Sequence, residues 1–447
     1  MIKLKKYNLT YAQISALGFI LIILVGALLL SLPISSRTRE ATPFIDAFFT
    51  SASATCVTGL VVHDTYTYFS IFGQVVILCL IQIGGLGFMI IATLFSFMLR
   101  RKIGLKERGL LQESVSTLHI GGVVRLTKHI LVGTLMFEGI GAILLSIRFS
   151  RDMGLARGIY DGIFHSVSAF CNAGFDLMGI IEPGSSLMHY SSDTLVNFVI
   201  GGLIIAGGIG FWVWEDVFNN KFKFCKYKLH TKIVLVITST LVIGGTAAFY
   251  LIEGNNAFVN MSEKEKILAA FFQSVTPRTA GFNTVDIGSL SESSILLTII
   301  LMVIGGSPGS TAGGIKTTTF VVVILSLVSS LRHTEDINIF NRRLEDEIIR
   351  KAFNVITIYY ICATVVVFVL CIIEPFSMRD IMFEVISALS TVGMSTGITS
   401  SLSPISRSIV ACLMFFGRVG SLSVALIFTE KKEYIPIRKP IEKISVG

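Results

Sequence analysis

Eight stretches of this sequence stay apolar for longer than a helix of a water-soluble protein usually does, and that feature decides the solvent in which the chain folds. They run from Ile14 to Leu32, Val75 to Leu99, Ile130 to Ile147, Leu195 to Val213, Ile233 to Ile252, Ile295 to Leu331, Val355 to Ile373 and Ile409 to Phe428. Each matches or exceeds the roughly 17 to 25 residues that carry a helix across a bilayer. With 52% of its 447 residues hydrophobic and only 15% charged, the chain cannot hide this much apolar surface in a water-soluble core. Eight membrane-spanning helices are predicted.

Lysine and arginine cluster after every second span. The clusters are Lys3, Lys5 and Lys6, then Arg100, Arg101, Lys102, Lys106 and Arg108, then Lys221, Lys223, Lys226 and Lys228, then Arg332, Arg342, Arg343, Arg350 and Lys351, and finally Lys431, Lys432, Arg438 and Lys439. Basic loops remain on the cytoplasmic face, so a multi-pass protein of the cell membrane with both termini cytoplasmic is expected. The net charge of +8 is then topological. The clusters fall in separate short loops, and no nucleic-acid partner is expected. The first span follows lysines as a signal peptide would, but it is too long and lacks a small-x-small cleavage site, so it is read as a retained helix. Seven cysteines without a CxxC pair read as small buried hydrophobes.

Between paired spans lies a segment that recurs four times, ending at Gly59, Gly174, Gly281 and Gly393, with spacings of 115, 107 and 112 residues. A period that long is a two-span unit. It divides the chain into residues 1–100, 101–220, 221–333 and 334–447, each with a span, a short helix, a glycine loop and a second span. About ten helix-compatible residues precede each glycine, roughly 15 Å, which is half the hydrocarbon thickness. Such a segment must enter the membrane and turn back. Asp46, Asp161 and Asp380 stand where three of these helices would begin, where an acid complements the helix dipole. The partly negative opposite ends would converge on one axis and favour a cation. The predicted fold is an all-α integral membrane protein, with eight transmembrane helices and four re-entrant pore helices in four pseudo-fourfold repeats around a central pore.

A loop that aims successive carbonyls at an ion needs backbone angles a side chain forbids, which gives the glycines a role. The candidate K⁺ ligands are Val57, Thr58 and Gly59, then Asn172, Ala173 and Gly174, then Thr279, Ala280 and Gly281, then Thr391, Val392 and Gly393. A second glycine cluster follows in each unit, at Gly84, Gly85 and Gly87, at Gly207, Gly208 and Gly210, at Gly305, Gly306 and Gly309, and at Gly417 and Gly420. Close helix packing accounts for these equally well. The sixth apolar stretch has 37 residues and would overshoot the bilayer at about 55 Å, so it has to break. The break is expected at Gly305, Gly306, Ser307, Pro308, Gly309, Ser310, Thr311, Ala312, Gly313 and Gly314, a loop with little side-chain packing and several accessible arrangements. Lys316 and Arg418 are cations near this depth, read either as ion-paired or snorkelling residues or as pore-facing ones that modulate passage. Glu138 is a further intramembrane charge for which the sequence names no partner.

The loop contains a GxSxG pattern at Gly305, Ser307 and Gly309 and a near phosphate-loop spacing from Gly309 to Gly314, but both need a preceding strand and here the flanks are apolar helix. The chain is not read as an enzyme; a polytopic membrane enzyme is the less favoured alternative. The fourfold order of span, pore helix, glycine loop and span, with a glycine-rich break in the third unit, resembles the Trk/Ktr/HKT superfamily of potassium transporters over nearly the whole chain. Within it the bacterial Ktr membrane subunit is most similar, because the repeats begin almost at residue 1. The resemblance implies that Gly59, Gly174, Gly281 and Gly393 are filter glycines favouring K⁺, that Gly305 to Gly314 gate the path below, and that Arg418 is the family's basic residue of the last span. It further implies a homodimer docked on a cytosolic ring of nucleotide-binding regulatory subunits, since the 18 residues after Thr429 are too few for such a domain. No cofactor is expected in the chain itself. Asn172 departs from the threonine of two other units. A Na⁺-selective path or a K⁺/Na⁺ symporter remains the alternative ion assignment.

Overall fold

In the computed structural model, which describes residues 10–87, 90, 123–221, 223–334 and 336–420, one succession of elements appears four times. A long helix comes first, then a short helix ending in a glycine loop, then a second helix. The long helices are α1 (Tyr11–Ser31), α5 (Val123–Met153), α9 (Leu229–Glu253) and α13 (Asp346–Ile373). Their mean hydropathy is 2.0 to 2.7, and all four are long and apolar enough to cross a membrane. Leu21, Leu135, Ile243 and Ile372 on them are 63–70% exposed, whereas Ser51, Thr58, Asn172, Thr279 and Thr391 inside are fully buried. Apolar outside and polar within is the arrangement lipid demands.

The short helices are α2 (Phe44–Cys56), α6 (Leu155–Phe170), α10 (Glu263–Val275) and α14 (Met378–Ser390). At 13 to 16 residues they reach only about 20 to 24 Å and cannot span. Local chemistry starts them. The Ser377 hydroxyl accepts from the Asp380 N–H, Ser262 and Glu265 form a capping box, and Asp46 lies in the first turn of α2. The expectation for Asp161 needs correction: α6 begins at Leu155, so Asp161 falls in the second turn and pairs there with Arg157 at 2.8 Å. In the third unit Glu263 and Glu265 supply the first-turn acids. Phe49, Phe164, Phe272 and Phe383, one on each short helix, are fully buried and tie the inner helices into two apolar clusters.

The second helices differ most from expectation. They are α4 (Ile71–Leu86), the pair α7 (Thr194–Gly208) and α8 (Phe211–Asn220), the pair α11 (Glu292–Val303) and α12 (Thr317–Leu331), and α15 (Pro404–Val419), with α3 (Thr65–Tyr68) a short turn before α4. Among the described residues four helices are long and apolar enough to span a membrane, or five if the pair α7 and α8, bent by 95°, counts as one. Among the described residues a break is seen in the second unit as well as in the third. Gly87 and Gly420 cap the ends of α4 and α15 at φ of 86° and 96°, and Gly210, at 94°, stands in the break before α8, in each case a conformation that favours glycine. The remainder of the second and last apolar stretches lies outside the described residues, as do the N-terminal lysines, the basic cluster at 100–108 and the tail after Thr429. Between α12 and α13, β1 (Asn338–Ile339) and β2 (Arg342–Arg343) form a two-residue hairpin whose central Phe340 and Asn341 have φ of 47° and 59°.

Candidate functional site

Each short helix ends in the same sequence of backbone conformations. Val57, Asn172, Thr279 and Thr391 have φ of 57°, 61°, 72° and 54°, and two residues later Gly59, Gly174, Gly281 and Gly393 have φ of 97°, 70°, 83° and 89°. Three of the four leading residues are β-branched, for which a left-handed backbone costs on the order of 1–3 kcal/mol each. Hydrogen bonds hold them there. The N–H groups of Thr58, Ala173 and Val392 each donate to a helix carbonyl five residues back at 2.8 Å, and that of Ala280 reaches Thr276 at 3.0 Å. In the first and fourth units the Ser53 and Ser387 hydroxyls accept from the N–H of Gly59 and Gly393 at 3.1 Å. In the second and third, Ser168 and Thr276 donate instead to the carbonyls of Phe175 and Phe282, at 2.7 and 2.6 Å.

These four segments close a ring. A Cβ added to Gly59 would fall closer than 3.0 Å to the Ala173 carbonyl oxygen, one on Gly174 to that of Ala280, one on Gly281 to that of Val392, and one on Gly393 to that of Thr58. Each glycine thus packs its α-carbon against the backbone of the next unit, in chain order, until the fourth meets the first. Asn172 braces one joint: with its amide nitrogen toward the Ala169 and Ile204 carbonyls and its oxygen toward the Thr279 hydroxyl, all at 3.2 Å, both ends of the amide find complementary partners.

On one side of the ring opens a cavity of about 360 Å³ whose lining includes all four glycines. Asp64, Asp176, Ser186, Asn283 and Ser395 contribute polar atoms to its wall. Sequence reasoning stopped at the glycines and missed these residues. The signal was available, because the position two residues past the glycine is polar in three units, as Asp176, Asn283 and Ser395.

On the other side the second glycine clusters converge. Cβ atoms on Gly84, Gly207 and Gly417 would collide with the carbonyls of Thr55, Phe170 and Leu389, each four residues before a ring glycine, so close helix packing is the role of these three. The third unit departs from them. Residues 304–316 leave the helix, with Ile304 and Ile315 bridged in parallel, and pass beneath the ring so that Gly313 packs on the Thr391 side chain. This loop is more firmly held than expected. Ser307 N–H donates to the Gly208 carbonyl at 2.9 Å, Thr311 Oγ1 to Phe170 at 3.2 Å, and the Gly309 carbonyl accepts from Phe211 N–H at 2.8 Å. Ser307 and Thr317 hydroxyls meet at 3.0 Å, and Ser310 Oγ donates to the Ser307 carbonyl at 2.6 Å.

Lys316 and Arg418 both join this layer, and among the described residues neither has a carboxylate partner. Lys316 Nζ donates to the Ala312 carbonyl at 2.7 Å. The Arg418 guanidinium donates to the carbonyls of Thr311 and Gly84 and, at 2.9 Å, of Gly85, linking the fourth unit to the third and the first. Glu138 now has its partners: Gln82 Nε2 donates to Oε2 at 3.2 Å and the Cys171 thiol lies 3.9 Å from Oε1, behind the ring rather than in it.

The model of the TrkH family of cation transport proteins matches residues 18–435. Over 99% of this chain and 98% of the relative, the sequence is 43% identical to the Ktr system potassium uptake protein B of Bacillus subtilis. It is 38% identical to the potassium/sodium uptake protein NtpJ of Enterococcus hirae, over 100% of this chain and 99% of that protein. The potassium transporter TrkH of Vibrio parahaemolyticus shares the fold, with a TM-score of 0.75 over 95% of this chain and 86% of that one, at 17% identity. These relatives are cation transporters and not enzymes.

Proposed function

The chain belongs to the TrkH family of cation transport proteins, and on that premise we propose that it takes up K⁺ through the glycine ring, which acts as a selectivity filter. The observation that carries this reading is the closed ring itself: four backbone segments of one shape, each abutting the next with no room for a side chain. Carbonyls fixed in this way can replace a hydration shell without reorganising. The Thr55, Thr58 and Thr391 hydroxyls, buried at the ring and unpaired among the described residues, supply further oxygen that only water or a cation satisfies. Ions would enter from the cavity lined by Asp64 and Asp176 and leave past residues 304–316. Gly305 to Gly314, with Lys316 and Arg418, are the gate we assign, a reading supported by backbone and two cations lying beneath the ring. The Ktr relative's name points to a multicomponent system, so a cytosolic nucleotide-binding ring is the regulator we assign, acting on a homodimer whose termini are cytoplasmic.

The name of the Enterococcus relative, a potassium/sodium uptake protein, favours one second reading, in which Na⁺ also passes or is coupled. Purified protein in liposomes with opposed K⁺ and Na⁺ gradients separates the two. A reversal potential that follows the K⁺ gradient alone is expected. One that follows Na⁺, or that moves with both, replaces K⁺ uptake by the second reading.

A further inference from the structure

At the end of the bundle away from the ring, the stretch before α9 and the β1–β2 hairpin enclose a second cavity, of about 440 Å³. α9 sets how far this cavity lies from the opposite end of the bundle. Its far end, Glu253, accepts from Ser291 at 2.5 Å at the start of α11, and its 25 residues put Lys228 roughly 37 Å away. Lys226, Lys228, Lys232 and Arg342 line this cavity together with Phe340 and Asn341, and among the described residues no carboxylate does. None of the four cations is within salt-bridge distance of a carboxylate among the described residues. The neighbouring acids are engaged elsewhere: Asp216 accepts from the Lys228 backbone N–H and the Asn220 amide at 2.9 Å each, and Asp336 pairs with Arg343 at 2.9 Å.

Four like charges around one cavity repel each other, and a folded chain keeps them together only at a cost. Here the hairpin holds them in place. Its two left-handed residues bring Phe340 across to Phe224, ring centroids 6.2 Å apart, and Lys232 Nζ lies 5.8 and 5.9 Å from the two rings while donating to the Cys225 carbonyl at 3.1 Å. Phe224 and Phe340 are 42% and 43% exposed. Exposed rings beside basic residues, one helix length from the opposite membrane face, are the composition of a bilayer interface.

We propose that this cavity binds a phosphate-bearing anion, with Lys226, Lys228 and Arg342 as its cationic ligands and the exposed rings against the apolar part of the molecule. The phosphate could belong to an anionic lipid headgroup or to a soluble nucleotide. Native mass spectrometry of the detergent-purified chain, given phosphatidylglycerol or phosphatidylcholine, distinguishes the proposal from a merely basic surface. Wild-type protein should retain one phosphatidylglycerol and no phosphatidylcholine. A Lys226→Gln/Lys228→Gln/Arg342→Gln variant should bind it about tenfold or more weakly, while Arg39→Gln/Arg151→Gln/Lys264→Gln, neutralised on exposed residues elsewhere, should bind as wild type does. Millimolar ATP then identifies the source: displacement of the lipid assigns a soluble phosphate, persistence assigns the headgroup. A salt titration of the wild-type complex gives a readout independent of any variant's folding. Equal retention of both lipids with no ATP bound, or undiminished binding by the first variant, overturns the site.

Discussion

At the scale of single residues, each ring glycine meets the backbone of the next unit where a side chain would stand. Gly393 shows the physics. Its α-carbon faces the Thr58 carbonyl, the residues lie more than three hundred positions apart in sequence, and a backbone-to-backbone contact of that kind leaves no mark on composition. The same holds for Val57 and Thr391, whose left-handed conformations contradict the preference of β-branched residues and are imposed by the closed ring. Gly393→Ala places a Cβ against the Thr58 carbonyl oxygen and strains a φ of 89°. Gly139→Ala, in α5 with no atom within 4 Å of its Cβ, meets neither obstacle. Liposome flux should show loss of the preference for K⁺ over Na⁺ in the first variant and unchanged selectivity in the second. Wild-type selectivity in a well-folded Gly393→Ala protein would remove this glycine from the filter.

At the scale of elements, hydropathy identified the four long helices and missed the break between α7 and α8, because a window average cannot distinguish one continuous helix from two that meet at a glycine. Only the 37-residue stretch was long enough to betray its interruption. The loop at 304–316 was then expected to be loose for want of side chains, and it is held by backbone donors and acceptors of the second unit and by Arg418. If this loop gates as proposed, opening it would mean breaking named bonds. Arg418→Gln removes the donors to Thr311, Gly84 and Gly85 together with one cation of the layer beneath the ring. Basal K⁺ flux without any cytosolic partner should rise severalfold, and deletion of Ser307 to Gly313 should raise it further. If stably folded Arg418→Gln protein conducts at or below the wild-type rate, the arginine is a structural brace and not part of a gate.

At the scale of the whole molecule, the four units form a closed ring although the chain is open, so one of the four joints is made without a connecting segment. That joint lies between the fourth unit and the first. There Arg407 of α15 donates to Asp46 of α2 at 2.5 Å and to the Ser400 carbonyl at 2.7 Å, and His63, stacked 4.1 Å from Tyr68, meets the other Asp46 oxygen at 3.1 Å. The side chains of Arg407 and Asp46 are only 16% and 10% exposed, so the pair is screened far less than a surface one. Stranding a half-buried charge costs more than removing both partners. The two ends are unequal, however: without Arg407, Asp46 keeps His63, whereas without Asp46, Arg407 keeps the Ser400 carbonyl and the attraction of the Glu374 carboxylate but no paired acid. Asp46→Asn should therefore lower the melting temperature in detergent more than Arg407→Gln, and the double variant should recover part of the loss, with a coupling of about 0.5–3 kcal/mol. Because this joint also positions α2, whose far end carries Val57 to Gly59, Asp46→Asn should weaken K⁺ preference as well as stability. Strictly additive single variants, with selectivity intact, would mean that the ring is closed by packing between α2 and α15 and that the ion pair is incidental.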